Sequence, residues 1–370
     1  MKIIDWYIIK KFIVTFFFCI FLFTVIAVVV DITEKTDNFL KSGWSTYKIF
    51  TDYYLAFIPH IIALLFPLFV FIAVIFFTSK MANRSEIIAI LASGTSFNRI
   101  LLPYFITSIF LSVGLFFASS YYVPKAEVKR TYFEDAYVNA NSGYMQITRQ
   151  NPSMYYRVDS FSYAGIRSYD TATKRGGPVY LYKIKDGKLV YNMRATNIVW
   201  DTAGAAKQKM GGKWKFENAF ERKVDSLKET ITIDSKKEFN FNFTPADLKN
   251  DMFAKDKMTS PELRRHIAIE QQRGGENINT YLIELYRRVA TPFSVIILTL
   301  IGCIIAARKI RGGSGMHIAI GFILAAAYIL MDRFSTIFST KGNLPPMIAA
   351  WIPNIIFVFV AIYLYKKAPK

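Results

Sequence analysis

The sequence predicts an α-helical polytopic membrane protein with six transmembrane helices and an all-β domain inserted between helices three and four. Three observations predict this fold: apolar residues concentrated in long blocks, a charge bias between successive connections, and a β-patterned middle segment. Of 370 residues, 53% are hydrophobic and 33 are Phe. A bilayer core of about 30 Å needs roughly 20 apolar residues per helix, so each block can be tested by its length.

Six apolar blocks are long enough to cross a bilayer. They are Phe12–Val30, Tyr53–Thr78, Ile100–Val123, Val289–Ala307, Met316–Phe338 and Met347–Tyr365. The fifth block is interrupted near its end by Asp332 and Arg333. Ionisable residues are costly at membrane depth and therefore functional candidates, although a pair at a helix end can also reach the interface. The first block is not a cleaved signal peptide, because no small-x-small site follows it before Asp31.

The distribution of basic residues predicts the orientation, because Lys and Arg accumulate on cytoplasmic connections. They flank the blocks at Lys10, Lys11, Lys80, Arg84, Arg99, Arg308, Lys309, Arg311, Lys366, Lys367 and Lys370. The connection at residues 31–52 mixes acidic and basic residues instead. Both termini are therefore predicted to lie inside, on the cytoplasmic side, and the long middle segment outside. Because this orientation explains much of the net charge of +19, we predict no nucleic-acid partner.

Residue patterns for common cofactor and catalytic chemistry are missing from the sequence. Cys19 and Cys303 fall inside predicted spans as small apolar fillers, and the three histidines lie in different segments without metal-ligand spacing. The sequence has no phosphate-binding loop with its lysine, no Gly-x-Ser-x-Gly elbow and no His-Glu-x-x-His; the glycine-rich RGGSGMH stretch predicts a turn. We therefore predict no cofactor, no metal site and no enzymatic activity in this chain.

The middle of the chain is patterned as β-structure. The stretch GPVYLYKIKDGKLVYNM predicts two strands joined by a hairpin at Asp186-Gly187. A second turn is predicted at Gly211-Gly212, followed by Trp214 and Phe216 alternating with lysines. Period-2 alternation continues, with Ile231/Ile233 and Phe239/Phe241/Phe243 each on one face. Many short strands predict a sandwich or open barrel, and an excess of basic residues fits either a solvated face or an anionic ligand.

A helix is predicted to lead the chain back to the membrane. Thr259 and Glu262 form a capping box, and Pro261 is tolerated in a first turn. Leu263 and Ile267 then have helical spacing up to the Gly274-Gly275 break. We predict a first membrane half at residues 1–123, a β domain at 124–258, and a linking helix with the second membrane half at 259–370.

The stretch NRSEIIAILASGTSFNR, Asn83–Arg99, lies between the second and third blocks and is too short and too charged to span. On a helix, Ile87, Ile88, Leu91 and Ala92 form one apolar stripe, and Gly94 can end the helix in a left-handed cap. Such a cytoplasmic helix can lie among lipid headgroups or dock into a groove of a partner. The stretch alone leaves both alternatives open.

The pattern SEIIAILASGTSFNRIL resembles the coupling helix of the LptF/LptG permeases of the lipopolysaccharide export ABC transporter. Other stretches resemble the same family, namely IIDWYIIKKF, TDNFLKSGWSTY, ELYRRVATPFSVIILTLIGCIIA, GFILAAAYILMDRF and LPPMIAAWIPNIIF. The resemblance covers about residues 1–125 and 259–365. In the segment between these ranges it depends only on the length, the position and the strand-like residue pattern of the segment. The DNFLKSG stretch is more similar to LptG than to LptF, although Glu34 stands where LptG-type sequences carry a basic residue.

The resemblance implies a transport assembly. Two such permease subunits would form a cavity for lipopolysaccharide, an LptB-like ATPase dimer would dock on the coupling helices, and LptC- and LptA-like proteins would continue a periplasmic bridge from a jellyroll-like β domain. It assigns the ATPase contact to a coupling helix at about residues 83–96, with Arg84, Glu86, Ala89, Leu91, Gly94 and Ser96.

The same resemblance places spans one and five beside the lateral entrance for lipid. The cations that would then meet lipid A phosphates, here called the rim cations, are Lys35, Lys41, Arg333 and Lys341. Ordinary interfacial anchoring is the alternative for each of them.

Two other classes of function compete with transport. A membrane-anchored periplasmic scaffold that moves nothing would need no ATPase, and it gives no reason for the Glu86–Ser96 pattern. A membrane enzyme acting on lipid would need convergent acids, bases or nucleophiles, which the sequence does not supply.

Overall fold

The computed structural model describes residues 3–138, 154–170, 173–201, 212–225, 228–241, 253–274, 278–308 and 313–368. The chain divides into two compact units. The helical unit comprises Met1–Tyr137, Lys255–Arg264 and Asn279–Lys370, and the β unit comprises Val138–Ala254 and Arg265–Ile278.

Nine helices occur in the described residues. In chain order they are α1 (Ile3–Ser42), α2 (Thr46–Asn83), α3 (Glu86–Ala92), α4 (Phe97–Val138), α5 (Ala254–Lys257), α6 (Ser260–Arg273), α7 (Ile278–Ala306), α8 (Gly313–Lys341) and α9 (Pro346–Lys366). All but α6, which continues past Arg264 into the β unit, lie almost entirely in the helical unit. Six of them, α1, α2, α4, α7, α8 and α9, are long and apolar enough to cross a membrane. The predicted number and order of spans are thus confirmed.

The helices extend well beyond the apolar blocks. The α1 helix continues through Asp31 to Ser42, because no glycine or proline interrupts it before Gly43, which has a φ of +64°. The connection between the first two apolar blocks, residues 31–52, is therefore mostly helical: between α1 and α2 only residues 43–45 lie outside a helix. π-Helical turns interrupt α2 at Ile49–Tyr54 and α4 at Ala118–Tyr122. These extensions bring charged helix ends close together beyond the apolar core.

Large aromatic side chains fill the core of the helical unit. The α1 helix packs against α2 and α4, and α8 packs against α2 and α9. Phe12, Phe69 and Tyr104 are fully buried, and the Tyr104 hydroxyl lies 2.9 Å from Thr78 Oγ1. The α8 helix lies close to α2 at Gly321, since a Cβ at this position would lie 2.3 Å from the Cδ1 atom of Ile75 and would require that side chain to shift.

In the described residues, the β unit contains one antiparallel sheet of nine strands, which confirms the predicted all-β insertion. The strands are β1 (Met154–Arg157), β2 (Ser162–Ile166), β3 (Tyr169–Asp170), β4 (Arg175–Gly176), β5 (Val179–Lys185), β6 (Lys188–Ala195), β7 (Asn197–Trp200), β8 (Gly212–Asp225) and β9 (Lys228–Phe241). Their order is β1-β2-β5-β6-β8-β7-β4-β3, and β9 pairs with β8. The long β8 strand therefore organises the sheet.

Turn chemistry sets the register of the central hairpin. Asp186 and Gly187 have φ of 52° and 71°, which is the left-handed pair that a type I′ turn requires. Lys185 pairs with Lys188 across this turn, so the predicted hairpin is confirmed.

The predicted alternation in β8 and β9 is confirmed only in part. Trp214 and Phe216 are fully buried, so the even-numbered positions face the core before Asn218. Asn218 has a left-handed φ of 53°, and after it the odd-numbered positions Ala219 and Glu221 are buried instead. On β9, Phe239 and Phe241 stack with ring centroids 6.2 Å apart.

Other residues named in the predictions for the β unit are either exposed or outside the described residues. Ile231 and Ile233 are 54% and 77% exposed, and so do not belong to the buried face. Phe243 and Gly211 lie outside the described residues.

The linking helix α6 begins as predicted. The backbone N–H of Thr259 donates to Glu262 Oε2 at 2.9 Å, which is the carboxylate half of a capping box. Leu263 and Ile267 are buried, and the helix ends at Arg273, before Gly274 with a φ of +71°. Gly275, the second glycine of the predicted break, lies outside the described residues.

Candidate functional site

The predicted coupling segment, residues 83–96, contains one short helix, α3. Ser85 precedes it in a left-handed conformation with a φ of 61°, and Gly94 follows it with a φ of +81°. The predicted apolar stripe is divided: Ile87 is 2% exposed and packs in the core with Leu91, whereas Ile88 is 50% exposed. The α3 helix is thus held against the helical unit on one side and presents a second apolar surface on the other.

The exposed side of the coupling segment carries most of its predicted contact residues. Arg84, Ala89, Gly94 and Ser96 are exposed. An alanine at an exposed helical position leaves room for close approach of another surface.

Glu86 joins α3 to α1. The Tyr7 hydroxyl donates to Glu86 Oε2 at 2.9 Å, and the ammonium group of Lys11 lies 3.3 Å from the same oxygen. Tyr7 and Lys11 are one helical turn apart, so both reach the same carboxylate. Sequence analysis missed these partners, although their i,i+4 spacing in IIDWYIIKKF was visible.

The chain just after α3 is also fixed to neighbouring helices. The guanidinium of Arg99 lies 2.6 Å from the carboxylate of Asp5, whose side chain is only 7% exposed. The Tyr365 hydroxyl donates to Asn98 Oδ1 at 2.5 Å. Movement of the coupling segment would therefore be transmitted to the first turns of α1 and the last turn of α9.

The rim cations are of two kinds. Lys41, in the last turn of α1, is exposed and makes no ion pair with a described residue, and the same holds for Arg333 and Lys341 on α8. Lys35 is largely buried between two carboxylates, at 2.8 Å from Asp31 and 3.1 Å from Glu134. Three of the four cations are therefore available to an external anion, and Lys35 already has partners.

Lys35 belongs to a buried ionic network that joins α1, α2 and α4. Its members are Asp31, Lys35, His60, Glu127, Arg130 and Glu134. Arg130 lies at its centre, 2.7 Å from Glu127 and 2.6 Å from Glu134. The Nδ1 atom of His60 on α2 lies 2.6 Å from Glu127 Oε1. Burial makes these charges dependent on one another, since each is costly without its partners.

Two tyrosines complete the α1 end of the ionic network. The hydroxyl groups of Tyr53 and Tyr54 donate to the two oxygens of Asp31, each at 3.2 Å. The Tyr53 ring packs against Phe133, with centroids 5.0 Å apart. Aromatic packing thus shields the network from water, which strengthens the electrostatic interactions inside it.

The acidic residue at the fifth span has a partner that sequence analysis missed. Asp332 lies 2.8 Å from the guanidinium of Arg287 on α7, whereas its sequence neighbour Arg333 is exposed. A cavity of about 90 Å³ between α2, α7 and α8 is lined by both members of this pair. Asp332 therefore ties two helices together, and Arg333 is left for contacts outside the fold.

The β unit contains a larger cavity, here called the β cavity, of about 780 Å³. Its walls include the apolar side chains of Leu181, Phe239 and Phe241. Four lysines line its rim, namely Lys183, Lys185, Lys223 and Lys237. The first three are exposed and form no ion pair with a described residue, whereas Lys237 is paired with the buried Glu221. An apolar interior with a cationic rim suits an amphiphile that carries negative charge.

Asp159 at the rim of the β cavity is fixed in its charged form. Burial by itself would raise the pKa of this carboxyl, but hydrogen bonds from the backbone N–H groups of Phe161 and Ser162, both 2.8 Å long, lower the pKa overall. The rim is therefore not uniformly positive.

Asp256 on α5 is expected to make the stability of the helical unit depend on pH. Burial, and then the neighbouring carboxylate of Glu284, raise the pKa of Asp256 to about 6. This pKa in the folded state exceeds that of the unfolded chain. The protonated Asp256 carboxyl therefore stabilises the folded state fully at low pH, and this stabilisation is lost as pH rises towards 6 and beyond. Between pH 5 and 8 the loss is about 1.4 kcal/mol.

Thermal unfolding in detergent at pH 5 and pH 8 measures this effect. We expect the Asp256→Asn variant, which stays neutral, to lack this part of the pH dependence and to be the more stable form at pH 8. Equal pH dependence in the variant and the original chain would contradict the assignment.

Comparison with protein-family models identifies the family of the chain. The family model described as lipopolysaccharide export system permease LptF/LptG matches residues 6–367. No curated protein matches the chain. The family match covers the two membrane halves and also the segment between them. In that segment the sequence resemblance depended only on length, position and strand-like residue pattern.

Proposed function

The chain belongs to the LptF/LptG family of lipopolysaccharide export permeases, and we propose that it is one of two six-span subunits of an ABC transporter that extracts lipopolysaccharide from the inner membrane. As a member of this family it is a multi-pass inner-membrane permease subunit and not a catalytic enzyme. We further propose that both termini are cytoplasmic, that the β unit is a periplasmic domain, and that the domains divide at residues 123 and 258. A choice between LptF and LptG does not follow from the family match, so the similarity to LptG stays a prediction.

Energy for extraction must come from outside this chain. Moving an acyl chain out of the bilayer costs about 0.8 kcal/mol per CH₂ group, and lipid A carries several such chains. The sequence contains no phosphate-binding loop that could hydrolyse ATP. We propose that an LptB-like ATPase dimer supplies the energy by docking on the coupling segment of this subunit and of a second LptF/LptG-type subunit.

The geometry of the coupling segment supports this docking. The exposed surface of α3 with Ala89 gives room for a partner, and Glu86 connects the same helix to α1. A push on α3 would then reach α1, the helix that carries Lys35 and Lys41 at its other end. The single observation that most supports a transport mechanism is that α1 contacts Glu86 of the coupling segment near its first turns and carries Lys35 and Lys41 near its other end.

We propose that Lys41, Arg333 and Lys341 meet the phosphates of lipid A while the acyl chains are still in the bilayer. Charge-assisted hydrogen bonds to phosphate are stronger at a partly desolvated interface than in bulk water. Lys35 could reach a phosphate only by leaving Asp31 and Glu134, so its part in binding would require a rearrangement of the ionic network.

The β cavity supports a role in the next step. Its apolar walls can receive acyl chains, and its exposed lysines can accompany the phosphates. We propose that lipopolysaccharide passes through this cavity to LptC- and LptA-like bridge proteins.

Purification of the full-length chain in mild detergent, followed by reconstitution, tests the proposed function. An ATPase subunit and a second six-span protein should copurify, and the reconstituted complex should release lipopolysaccharide only with hydrolysable ATP. The competing function is that of a membrane-anchored scaffold that moves nothing, and it would be favoured by a stable complex without ATP-dependent release.

Reversing two rim charges is expected to weaken the contact with cargo. Lys41→Glu combined with Arg333→Glu should reduce photocrosslinking to lipopolysaccharide severalfold, because two exposed cations become anions that repel phosphate. Assembly should be retained, since neither side chain forms an ion pair with a described residue. Lys48→Glu, an exposed charge reversal near the start of α2, serves as the control. Unchanged crosslinking in the assembled double variant would remove the rim from the mechanism.

A further inference from the structure

A second cavity in the helical unit is separate from the rim cations, the coupling segment and the β cavity. It has a volume of about 300 Å³ and is enclosed by the late part of α4, the first turns of α6 and the first half of α7. This volume is at the lower end of the range for small-molecule sites. We propose that the cavity binds the phosphate headgroup of a glycerophospholipid through Arg264 and Ser120.

Ser120 supplies the first observation. It is 1% exposed, it lines the cavity, and its hydroxyl has no hydrogen-bond partner among the described residues. Its neighbour Ser119 uses its hydroxyl within the helix, donating to the Phe116 carbonyl at 3.2 Å. Ser120 lies in the π-helical turn Ala118–Tyr122, and such turns occur frequently at functional sites. A buried hydroxyl without a partner costs free energy, and an acceptor oxygen in the cavity would remove that cost.

Arg264 supplies the charge. It is exposed at the mouth of the cavity and forms no ion pair with a described residue. The other arginine of the cavity, Arg288, is fully engaged: it is 3.2 Å from the carboxylate of Glu284 and donates to the carbonyl oxygens of Lys255 and Met258 at 2.9 and 2.8 Å. Arg288 therefore shapes the wall, and Arg264 remains free to bind an anion.

The first turn of α6 adds to the positive character of the cavity. Ser260 and Pro261 line it at the amino-terminal end of that helix, where the helix dipole favours negative charge. The nearby carboxylate of Glu262 is engaged with Thr259 and does not line the cavity. A guanidinium, two hydroxyl groups and a helix start are donors that match a phosphate group.

A lipid is the occupant because the surface of α4 around the cavity is apolar. Val113 and Phe117 are 49% and 58% exposed, and Tyr121 and Tyr122 follow at 46% and 63%. Tyrosines gather at the membrane interface, where their polar ends meet the headgroups. Acyl chains can therefore lie along α4 while the phosphate enters the cavity. The cavity is too small for the lipid A disaccharide with its several chains, which favours a glycerophospholipid.

Native mass spectrometry of the detergent-purified full-length chain tests the proposal. The probes are phosphatidylglycerol, a galactosyl diacylglycerol that lacks phosphate, and soluble glycerol phosphate. We expect Arg264→Gln to weaken phosphatidylglycerol binding about tenfold, as for the loss of a charge-assisted hydrogen bond, and Ser120→Ala to weaken it by a smaller factor. Lys125→Gln is the matched control, because Lys125 is exposed at the same end of α4 and does not line the cavity.

Each outcome decides the proposal. Tighter binding of phosphatidylglycerol than of the galactolipid, lost in Arg264→Gln and kept in Lys125→Gln, would support it. Equal binding in Arg264→Gln and the original chain, with both folded by thermal unfolding, would overturn it. Displacement by glycerol phosphate as effective as by the lipid, or occupancy by lipopolysaccharide with the same dependence on Arg264, would overturn a glycerophospholipid as the occupant. The proposed transport function could fail without affecting any of these results.

Discussion

Replacing Arg130 by methionine is expected to lower the free energy of unfolding of the helical unit by about 3–5 kcal/mol. Arg130 is 8% exposed and is the partner that Glu127 and Glu134 share. Methionine fills much of the same volume but leaves both carboxylates without their shared cation. Glu134 keeps Lys35 and Glu127 keeps His60, but removing one partner from a buried ionic network costs more than the net value of the intact ion pairs.

Unfolding of the purified protein in mixed micelles with increasing denaturing detergent measures this effect. Lys125→Met is the control on the same helix, because Lys125 is exposed, and it should change stability by no more than about 0.5 kcal/mol. Adding Glu127→Gln and Glu134→Gln to Arg130→Met should recover part of the loss, since the buried negative charges are then removed together with the cation. Equal stability of the Arg130→Met and Lys125→Met variants would show that the ionic network does not stabilise the fold.

Features set by local sequence were predictable. The six spans follow from the length of the apolar blocks, and the Asp186-Gly187 turn follows from the need for two left-handed residues. The helical structure of the connection at residues 31–52 was not readable from the apolar blocks, because polarity does not mark the end of a helix. A helix ends where the backbone is interrupted, here at Gly43, and polar residues continue it when other helices supply partners.

The ionic contacts could not be predicted, because their partners are far apart in the chain. Lys35 and Glu134 are separated by 99 positions, and Arg287 and Asp332 by 45. Periodicity identifies which face of a helix is apolar, but it does not identify which helices become neighbours. Arg333 therefore looked like the partner of Asp332, and Lys35 was included with Lys41 among the cations expected to bind phosphate.

The coupling segment shows the same limit. Its helix and its terminal glycine were readable from residue spacing, whereas the division of the stripe into a packed side with Ile87 and an exposed side with Ile88 depends on how α3 lies against α2. The contact of Glu86 with Tyr7 and Lys11 also depends on that packing. Glu86 can therefore act in two ways, as an anchor within the subunit and as a charge presented to a partner.

Glu86→Lys and Ala89→Trp are each expected to abolish most ATP-driven lipopolysaccharide release. Lysine at position 86 places a second cation within a few ångströms of Lys11, which breaks the link between α3 and α1 and reverses the charge offered to the ATPase. Tryptophan at position 89 adds bulk at an exposed position, so the fold should survive while close docking is blocked. A loss of about 2 kcal/mol in docking free energy corresponds to roughly 30-fold weaker binding of the ATPase.

Tyr7→Phe combined with Lys11→Gln separates the two actions of Glu86, because it removes the anchor and leaves the carboxylate free for the partner. If Glu86 acts through docking, the anchor variant should bind the ATPase normally in copurification, whereas Glu86→Lys should not. If the link between α3 and α1 carries the motion, the anchor variant should hydrolyse ATP in the reconstituted complex but release little lipopolysaccharide. Wild-type release by Glu86→Lys and Ala89→Trp alike would favour a helix that lies among lipid headgroups and would contradict a coupling role.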